Sequence, residues 1–249
     1  MSDFKPCIVV PVYNHEHAIG AVLQGLLRHN VPVILVDDGS CAACAEVLDA
    51  LAAQYGAGVV LERLPYNQGK GKAVLAGFCR AGQLGYSHAL QIDADGQHQT
   101  DDVPKFLAQA AAHPAAVIAG FPIYDDSVPK ARLYGRYATH VWVWINTLSL
   151  EIKDSMCGFR AYPVAAVNAL AARQAIGSRM NFDTDIVVRL FWEGLRVINV
   201  GTRVSYPMDG VSHFRVWRDN VLITRMHTLL FFGMLPRIPR LLARKWQAK

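Results

Sequence analysis

Three short apolar runs in the first hundred residues each end in a cluster of polar side chains, and that repetition constrains the fold more than any other feature. Residues 7–12 run into Tyr13-Asn14, residues 33–36 into Asp37-Asp38-Gly39-Ser40, and residues 88–92 into Asp93-Ala94-Asp95-Gly96-Gln97. Their β-branched and apolar make-up marks them as buried strands, and residues 58–63 add another. Between them, residues 18–29, 41–55 and 73–81 read as helices. Strands alternating with helices imply right-handed crossovers, a mostly parallel central sheet and helices on both faces: an α/β, Rossmann-like domain. Ligands of such sheets bind beyond the carboxyl ends of the strands, so the three polar clusters converge on one crevice.

Asp93, Asp95 and Gln97 stand at alternate positions, which on extended backbone turns them to one side. Two carboxylates and an amide oxygen, without cysteine or clustered histidine, suit Mg²⁺ or Mn²⁺ better than Zn²⁺. So few protein ligands leave coordination positions for other oxygens, typically those of a diphosphate. An EF-hand loop needs its Gly sixth, whereas Gly96 is fourth from Asp93. A haloacid-type phosphatase would carry such a motif near the N-terminus, followed by Thr or Val, and this chain does not.

The loop Tyr66-Asn67-Gln68-Gly69-Lys70-Gly71-Lys72 opens the helix at residues 73–81. It fits neither the P-loop nor the dinucleotide fingerprint. Flexible glycines with Lys70 and Lys72 before a helix N-terminus suit an anion. A tight strand-to-helix turn with solvated lysines accounts for them equally well.

Taken in order and spacing, Pro11-Val12-Tyr13-Asn14, Val36-Asp37-Asp38-Gly39-Ser40, Asn67-Gln68-Gly69-Lys70-Gly71-Lys72-Ala73 and Asp93-Ala94-Asp95-Gly96-Gln97 resemble the family 2 glycosyltransferases of the GT-A fold. The likeness is greatest to the dolichyl- and polyprenyl-phosphate mannosyl- and glucosyltransferase branch, and it covers about residues 6 to 212. It implies a GDP- or UDP-linked sugar bound by Pro11, Tyr13, Asn14, Asp37, Asp38, Gly69, Lys72, Asp93 and Ala94. It also implies a divalent metal on Asp93, Asp95 and Gln97. The metal would neutralise charge building on the departing nucleoside diphosphate. A nucleotidyltransferase, which shares that chemistry, would begin with Gly-x-Gly-Thr-Arg, and Pro11-Val12-Tyr13-Asn14 is not that.

The second half supplies the acceptor side of the resemblance. Residues 117–121 read as a strand and 130–145 as a helix, with Arg132 and Arg136 on one face. Relatives place a phosphate-binding arginine near here, and either of the two matches, unless both merely sit on a solvated face. Asp154-Ser155-Met156-Cys157-Gly158-Phe159-Arg160 resembles the acceptor-side loop of the family, implicating Asp154, Gly158, Phe159 and Arg160. Asp183 and Asp185 precede a helix at 186–194, where relatives carry an acidic residue facing the sugar; Asp185 is preferred, although a capping acid would look the same. After a strand at 197–204, Ser212 matches a Gly-x-Ser element, but Pro207 and Met208 stand where many relatives have a phosphate-binding Arg. That departure leans toward a hydroxyl acceptor, which needs a general base, over an already anionic lipid phosphate.

The chain's net charge of +5 is concentrated at its end. Residues 216–249 hold seven basic side chains against the single acid Asp219, leaving the remainder near −1. Basic residues interleaved with Leu, Ile and Phe argue against nucleic acid. The apolar stretch 221–235 is about 15 residues, short of the roughly 20 that span a bilayer. It reads as an interfacial amphipathic helix on anionic lipid, or else as a helix docked on the domain's own core. The five cysteines form no zinc-like pairs, and no apolar leader follows Met1, so a reduced cytoplasmic setting is expected. These readings converge on a GT-A domain over residues 1–215 and a basic amphipathic helical tail over 216–249. The expected function is metal-dependent, inverting sugar transfer to a lipid or lipid-phosphate acceptor, peripheral on the inner face of the cell membrane. The alternative is a non-catalytic sugar-nucleotide- or lipid-binding partner in a membrane-associated complex.

Overall fold

A computed structural model describes residues 4–123, 130–204 and 215–247. Its centre is a seven-stranded sheet of β1 (Pro6–Val12), β2 (Val33–Asp37), β3 (Val59–Arg63), β4 (His88–Gln91), β5 (Val117–Ile123), β6 (Arg160–Pro163) and β7 (Val197–Arg203). The spatial order is β3-β2-β1-β4-β6-β5-β7. Every pairing is parallel except those of β6, which runs antiparallel to β4 and β5. The mostly parallel expectation therefore holds. β6 escapes the sequence reading because its four residues begin inside a polar motif and carry no apolar run.

Along β1, Cys7 and Val9 enter one apolar core while Ile8, Val10 and Val12 enter the other. Both faces are buried, so the strand reads as a continuous apolar run, not as an alternation. One face is covered by α1 (Ile19–Leu27), α2 (Ala42–Tyr55) and α4 (Val103–Ala112). The opposite face carries α3 (Lys70–Gln83), α5 (Lys130–Thr147), α6 (Val164–Arg173) and α7 (Phe182–Trp192). Fully buried Phe78, Phe106, Phe159 and Phe182 each contribute roughly 1.5–3 kcal/mol of transfer free energy. Val12 pairs with Asp37 and Val9 with Gln91, so the ends of β1, β2 and β4 lie side by side.

The chain ends in α8 (Val216–Met234) and α9 (Ile238–Gln247), joined by a single tight turn at Leu235–Arg237. Met226, Leu230, Met234 and Leu241 are buried in the same core as Phe191 and Trp192 of α7. The Arg237 guanidinium lies 4.8 Å from the Trp192 ring centre and that of Arg244 lies 4.2 Å from Phe191. The expected division between residues 1–215 and 216–249 thus separates elements that share one core. Their outer face exposes Trp217, Val221, Leu229, Phe232 and Trp246. The stretch Trp217–Trp246 covers 30 residues, longer than the sequence reading allowed, and is long and apolar enough to cross a membrane by length and composition alone.

Candidate functional site

The polar clusters ending β1 and β2 are stapled to each other and to the glycine-rich loop. Asn14 takes a positive φ of 52° after β1, and its Oδ1 accepts from the Cys41 N–H at 2.8 Å. Asp37 accepts from the Ser40 N–H at 2.9 Å and from Arg63 Nε at 2.8 Å. Asp38 accepts from the Gln68 N–H at 2.7 Å, the Gly69 N–H at 2.9 Å and Asn67 Nδ2 at 3.1 Å. Burial pushes the Asp38 carboxyl upward, against the pull of those N–H donors. Gly69 has φ of 99°, and a Cβ there would sit 2.5 Å from the Ser178 carbonyl. Both the turn and the close approach require glycine. Pro11 and Ala94 are buried, Tyr13 is half-buried and Lys72 is exposed.

Beyond β4, Asp93, Asp95 and Gln97 line one pocket together with His98, Arg136, Met156, Cys157 and Gly158. The Gln97 N–H donates to Asp95 Oδ1 at 3.0 Å, closing a tight turn that keeps the alternate side chains together. The donor set is hard oxygen. Among the described residues no three His, Cys, Asp or Glu side chains converge into a self-sufficient metal cage. Two carboxylates and an amide fit a cation that takes its remaining ligands from a bound anion.

Lys70, at the start of α3, reaches across to this pocket's wall. Its Nζ lies 2.8 Å from both carboxylate oxygens of Asp93 and 2.8 Å from Asp183 Oδ2. Asp183 Oδ1 accepts from Gln91 Nε2 at 2.8 Å. Burial opposes charge on Lys70, but Asp183 and Asp93 outweigh it and hold the ammonium well above its usual range. Burial likewise opposes the Asp93 carboxylate, and Lys70 with His98 holds it well below the carboxylate range. A Cβ on Gly158 would lie 2.6 Å from Asp93 Oδ2 and 2.8 Å from Lys70 Nζ, so this position in the acceptor-side motif admits no side chain.

Arg136 of α5 donates through Nε and Nη2 to the two oxygens of Asp154. Asp154 Oδ1 also accepts the Met156 and Cys157 N–H groups, both at 2.8 Å. Phe159 and Arg160 are fully buried and do not line the pocket. Phe159 stacks on Phe106 at 4.1 Å, and buried Arg160 donates to the Asp183 and Asp154 carbonyls and the Tyr162 hydroxyl.

The two candidate acids of α7 part company. Two residues along a helix turn by about 200°, so they face opposite ways. Asp183 joins the Lys70–Asp93 network, whereas Asp185 accepts from the Gly177 N–H at 2.8 Å and Arg189 Nε at 2.6 Å. The preferred acid of the sequence reading is thus occupied by a loop and by its own helix. The Arg132 side chain and Ser212, both expected on the acceptor side, lie outside the described residues.

Sequence reasoning missed Lys70 as a site residue, although its place just after Gly69 at a helix start had marked it for an anion. Its partners are carboxylates instead. Arg179 was also missed: its Nη1 donates to Asn67 Oδ1 at 3.1 Å, beside Asp38.

Comparison with known proteins adds to this geometry. Residues 7–176 match the family described as Glycosyl transferase family 2. The chain is similar to the undecaprenyl-phosphate mannosyltransferase of Micrococcus luteus, 28% identical over 202 residues that cover 77% of this chain and 80% of that one. It is 26% identical over 186 residues to the UDP-N-acetylglucosamine–dolichyl-phosphate N-acetylglucosaminyltransferase of Methanococcus voltae, covering 69% of this chain and 74% of that one. Its fold is similar to that of the glucosyl-3-phosphoglycerate synthase from Mycobacterium tuberculosis, whose crystal contained Mn²⁺ and UDP-glucose. That likeness has a TM-score of 0.66 at 14% identity over 94% of this chain and 79% of the other.

Proposed function

The chain belongs to glycosyl transferase family 2 and is a glycosyltransferase of GT-A fold, and from that premise we propose that it moves a sugar from a nucleoside-diphosphate sugar to a polyprenyl-phosphate acceptor, with inversion. One observation carries the proposal: Asp93, Asp95 and Gln97 share a pocket with Arg136 and Gly158, so donor-side and acceptor-side motifs face the same space. The ends of β1 and β2, with Pro11, Tyr13, Asn14, Asp37 and Asp38, and the glycine-rich loop at Gly69 would hold the nucleoside. Asp93, Asp95 and Gln97 would hold Mg²⁺ or Mn²⁺, which supplies charge neutralisation on the departing diphosphate.

The chain's own residues then orient and exclude. Arg136, fixed by Asp154, presents a cation on the acceptor side of the pocket, where it would meet a phosphate oxygen. An acceptor phosphate is already anionic and needs no general base. Asp183, with both oxygens engaged, serves to position Lys70 and the wall of the pocket. The relatives' names support the phosphate acceptor over the hydroxyl that Pro207 and Met208 had favoured. In-line attack on the face opposite the departing diphosphate would invert the anomeric centre.

The outer face of α8, with the stripe Tyr137, Val141, Trp142 and Ile145 of α5, exposes apolar surface flanked by Arg218, Arg225, Arg240 and Lys245. That pairing supports peripheral binding to an anionic membrane on its cytoplasmic side. The deciding test is calorimetric titration with UDP and GDP, each with and without Mn²⁺, repeated on Asp95→Ala. Metal-dependent binding of one nucleotide, lost in the variant, supports the reading. No binding of either overturns the donor-pocket reading.

A further inference from the structure

Lys70 is a buried cation set against the very carboxylate that the proposed metal would use. Both Asp93 oxygens lie 2.8 Å from its Nζ, and Oδ2 alone takes its hydrogen bond, so a cation on either oxygen stands beside the ammonium. With metal–oxygen distances near 2.1 Å, the two positive centres would stand within about 5 Å of each other. At that range in a partly buried site, repulsion is several times what it is in water. The ammonium also has a second anionic partner in hand, since Asp183 Oδ2 lies 2.8 Å away. Asp183 is itself steadied by Gln91 Nε2, and the side chain of Lys70 is only 17% exposed, so it has little water to turn to.

We propose that Lys70 is a built-in counter-ion that holds Asp93 in the resting site and shifts toward Asp183 when the cation arrives with the donor diphosphate. Lys70 thereby weakens metal binding to the empty enzyme and makes it depend on the nucleotide, whose phosphates supply the negative charge that offsets the repulsion. The same shift ties the donor-side carboxylate of β4 to α7, so that donor loading is felt at the acceptor-side helix. This inference rests on the metal reading above.

The test is titration of Mn²⁺ alone onto the full chain, followed by electron paramagnetic resonance of the free ion, for wild type, Lys70→Met and Asp183→Asn. Lys70→Met is expected to bind Mn²⁺ roughly tenfold more tightly or better, while its gain in Mn²⁺ affinity on adding UDP or GDP shrinks. Asp183→Asn commits the ammonium wholly to Asp93 and is expected to weaken Mn²⁺ binding several-fold. A residue with a merely structural role would lower affinity when removed. Unchanged or weaker binding by folded Lys70→Met overturns the proposal. If circular dichroism shows that Lys70→Met does not fold, Asp183→Asn decides, and unchanged or tighter binding there overturns it. If wild type and both variants bind no Mn²⁺ even with UDP or GDP present, the metal reading falls first and this inference with it.

Discussion

Arg136 and Asp154 meet fork to fork: Nε and Nη2 of the guanidinium donate to the two oxygens of a carboxylate that is 3% exposed. The same carboxylate gathers the Met156 and Cys157 N–H groups, so one residue fixes both the arginine and the loop carrying Gly158. Burial opposes its charge, but the His140 contact and the Arg136 guanidinium outweigh that and hold the carboxyl well below the usual range. Asp154→Ala strands a half-buried arginine and two amides. It is expected to cost about 3–5 kcal/mol in urea unfolding. Arg136→Lys keeps a charge but loses the fork. It should leave the unfolding midpoint nearly in place while turnover of a polyprenyl-phosphate acceptor drops about tenfold or more, near the loss expected for one charge-assisted contact.

Asp95 contributes little to the core, since its carboxylate accepts from the nearby Gln97 N–H. Asp95→Ala should therefore melt close to wild type. Its turnover should fall roughly a hundredfold or more, the range for removing one preorganised contact to developing charge. Calorimetry should show that Mn²⁺ no longer strengthens nucleotide binding. Retained metal dependence would move the metal site elsewhere.

Asp183→Asn and Asp185→Asn separate two acids that the sequence could not. Asp185 ties α7 to the 177–179 loop and to Arg189, so its amide should cost about 1–3 kcal/mol of stability and little turnover. Asp183→Asn should lower turnover more than it lowers the melting temperature, because it leaves Lys70 bound to Asp93 alone and so competing with the metal. The reverse ranking in paired activity and melting measurements would restore Asp185 as the working acid.

Much of the fold was legible, for a physical reason. The strands of β1, β2 and β4 are buried on both faces, so their apolar runs are continuous and end abruptly in polar clusters, of which the one after β4 lines the pocket. Asp93, Asp95 and Gln97 were legible as a set because their spacing is local. Lys70 was not, because its partners lie 23 and 113 positions away and no local pattern records such pairs. Asp183 against Asp185 turned on helix phase, which moves by about 200° over two residues, while a sequence fixes a helix start only to within a residue or two. β6 stayed hidden because its strand begins at Arg160, a charge buried among the carbonyls of Asp154 and Asp183 and the Tyr162 hydroxyl.

His227 lies in the α5–α8 interface, where its Nδ1 is 3.4 Å from Asn146 Nδ2 and its ring 6.2 Å from that of Trp142. Burial pushes its pKa down to about 4 from an ordinary 6.5. Between those values the unfolded chain binds more protons, so stability rises with pH there. The contribution is fully present above about pH 6.5, is lost as pH falls toward 4, and amounts to about 3 kcal/mol at most. Melting wild type and His227→Gln from pH 7.5 to 4.5 should show the variant losing less stability than wild type on acidification. Parallel curves would mean that His227 titrates in the folded protein as it does in the unfolded chain.

The two faces of α8 should answer to different measurements. Leu230 is fully buried in the core shared with α7, so Leu230→Ala is expected to cost about 2–5 kcal/mol. Removing residues 216–249 would strip Met226, Leu230, Met234 and Leu241 from that core and should destabilise the remaining domain instead of releasing it intact. Phe232 is 63% exposed and Trp246 83%, so changing both to Ser should leave melting within about 0.5 kcal/mol of wild type. The same pair should weaken sedimentation with vesicles of phosphatidylcholine and phosphatidylglycerol, since each large side chain removed from the interface forfeits roughly 1.5–3 kcal/mol of burial. Added salt should weaken wild-type binding further, because Arg218, Arg225, Arg240 and Lys245 flank the apolar face and exposed charges are screened within about 10 Å at 0.1 M. Unchanged sedimentation in the double variant would instead assign this face to another protein surface.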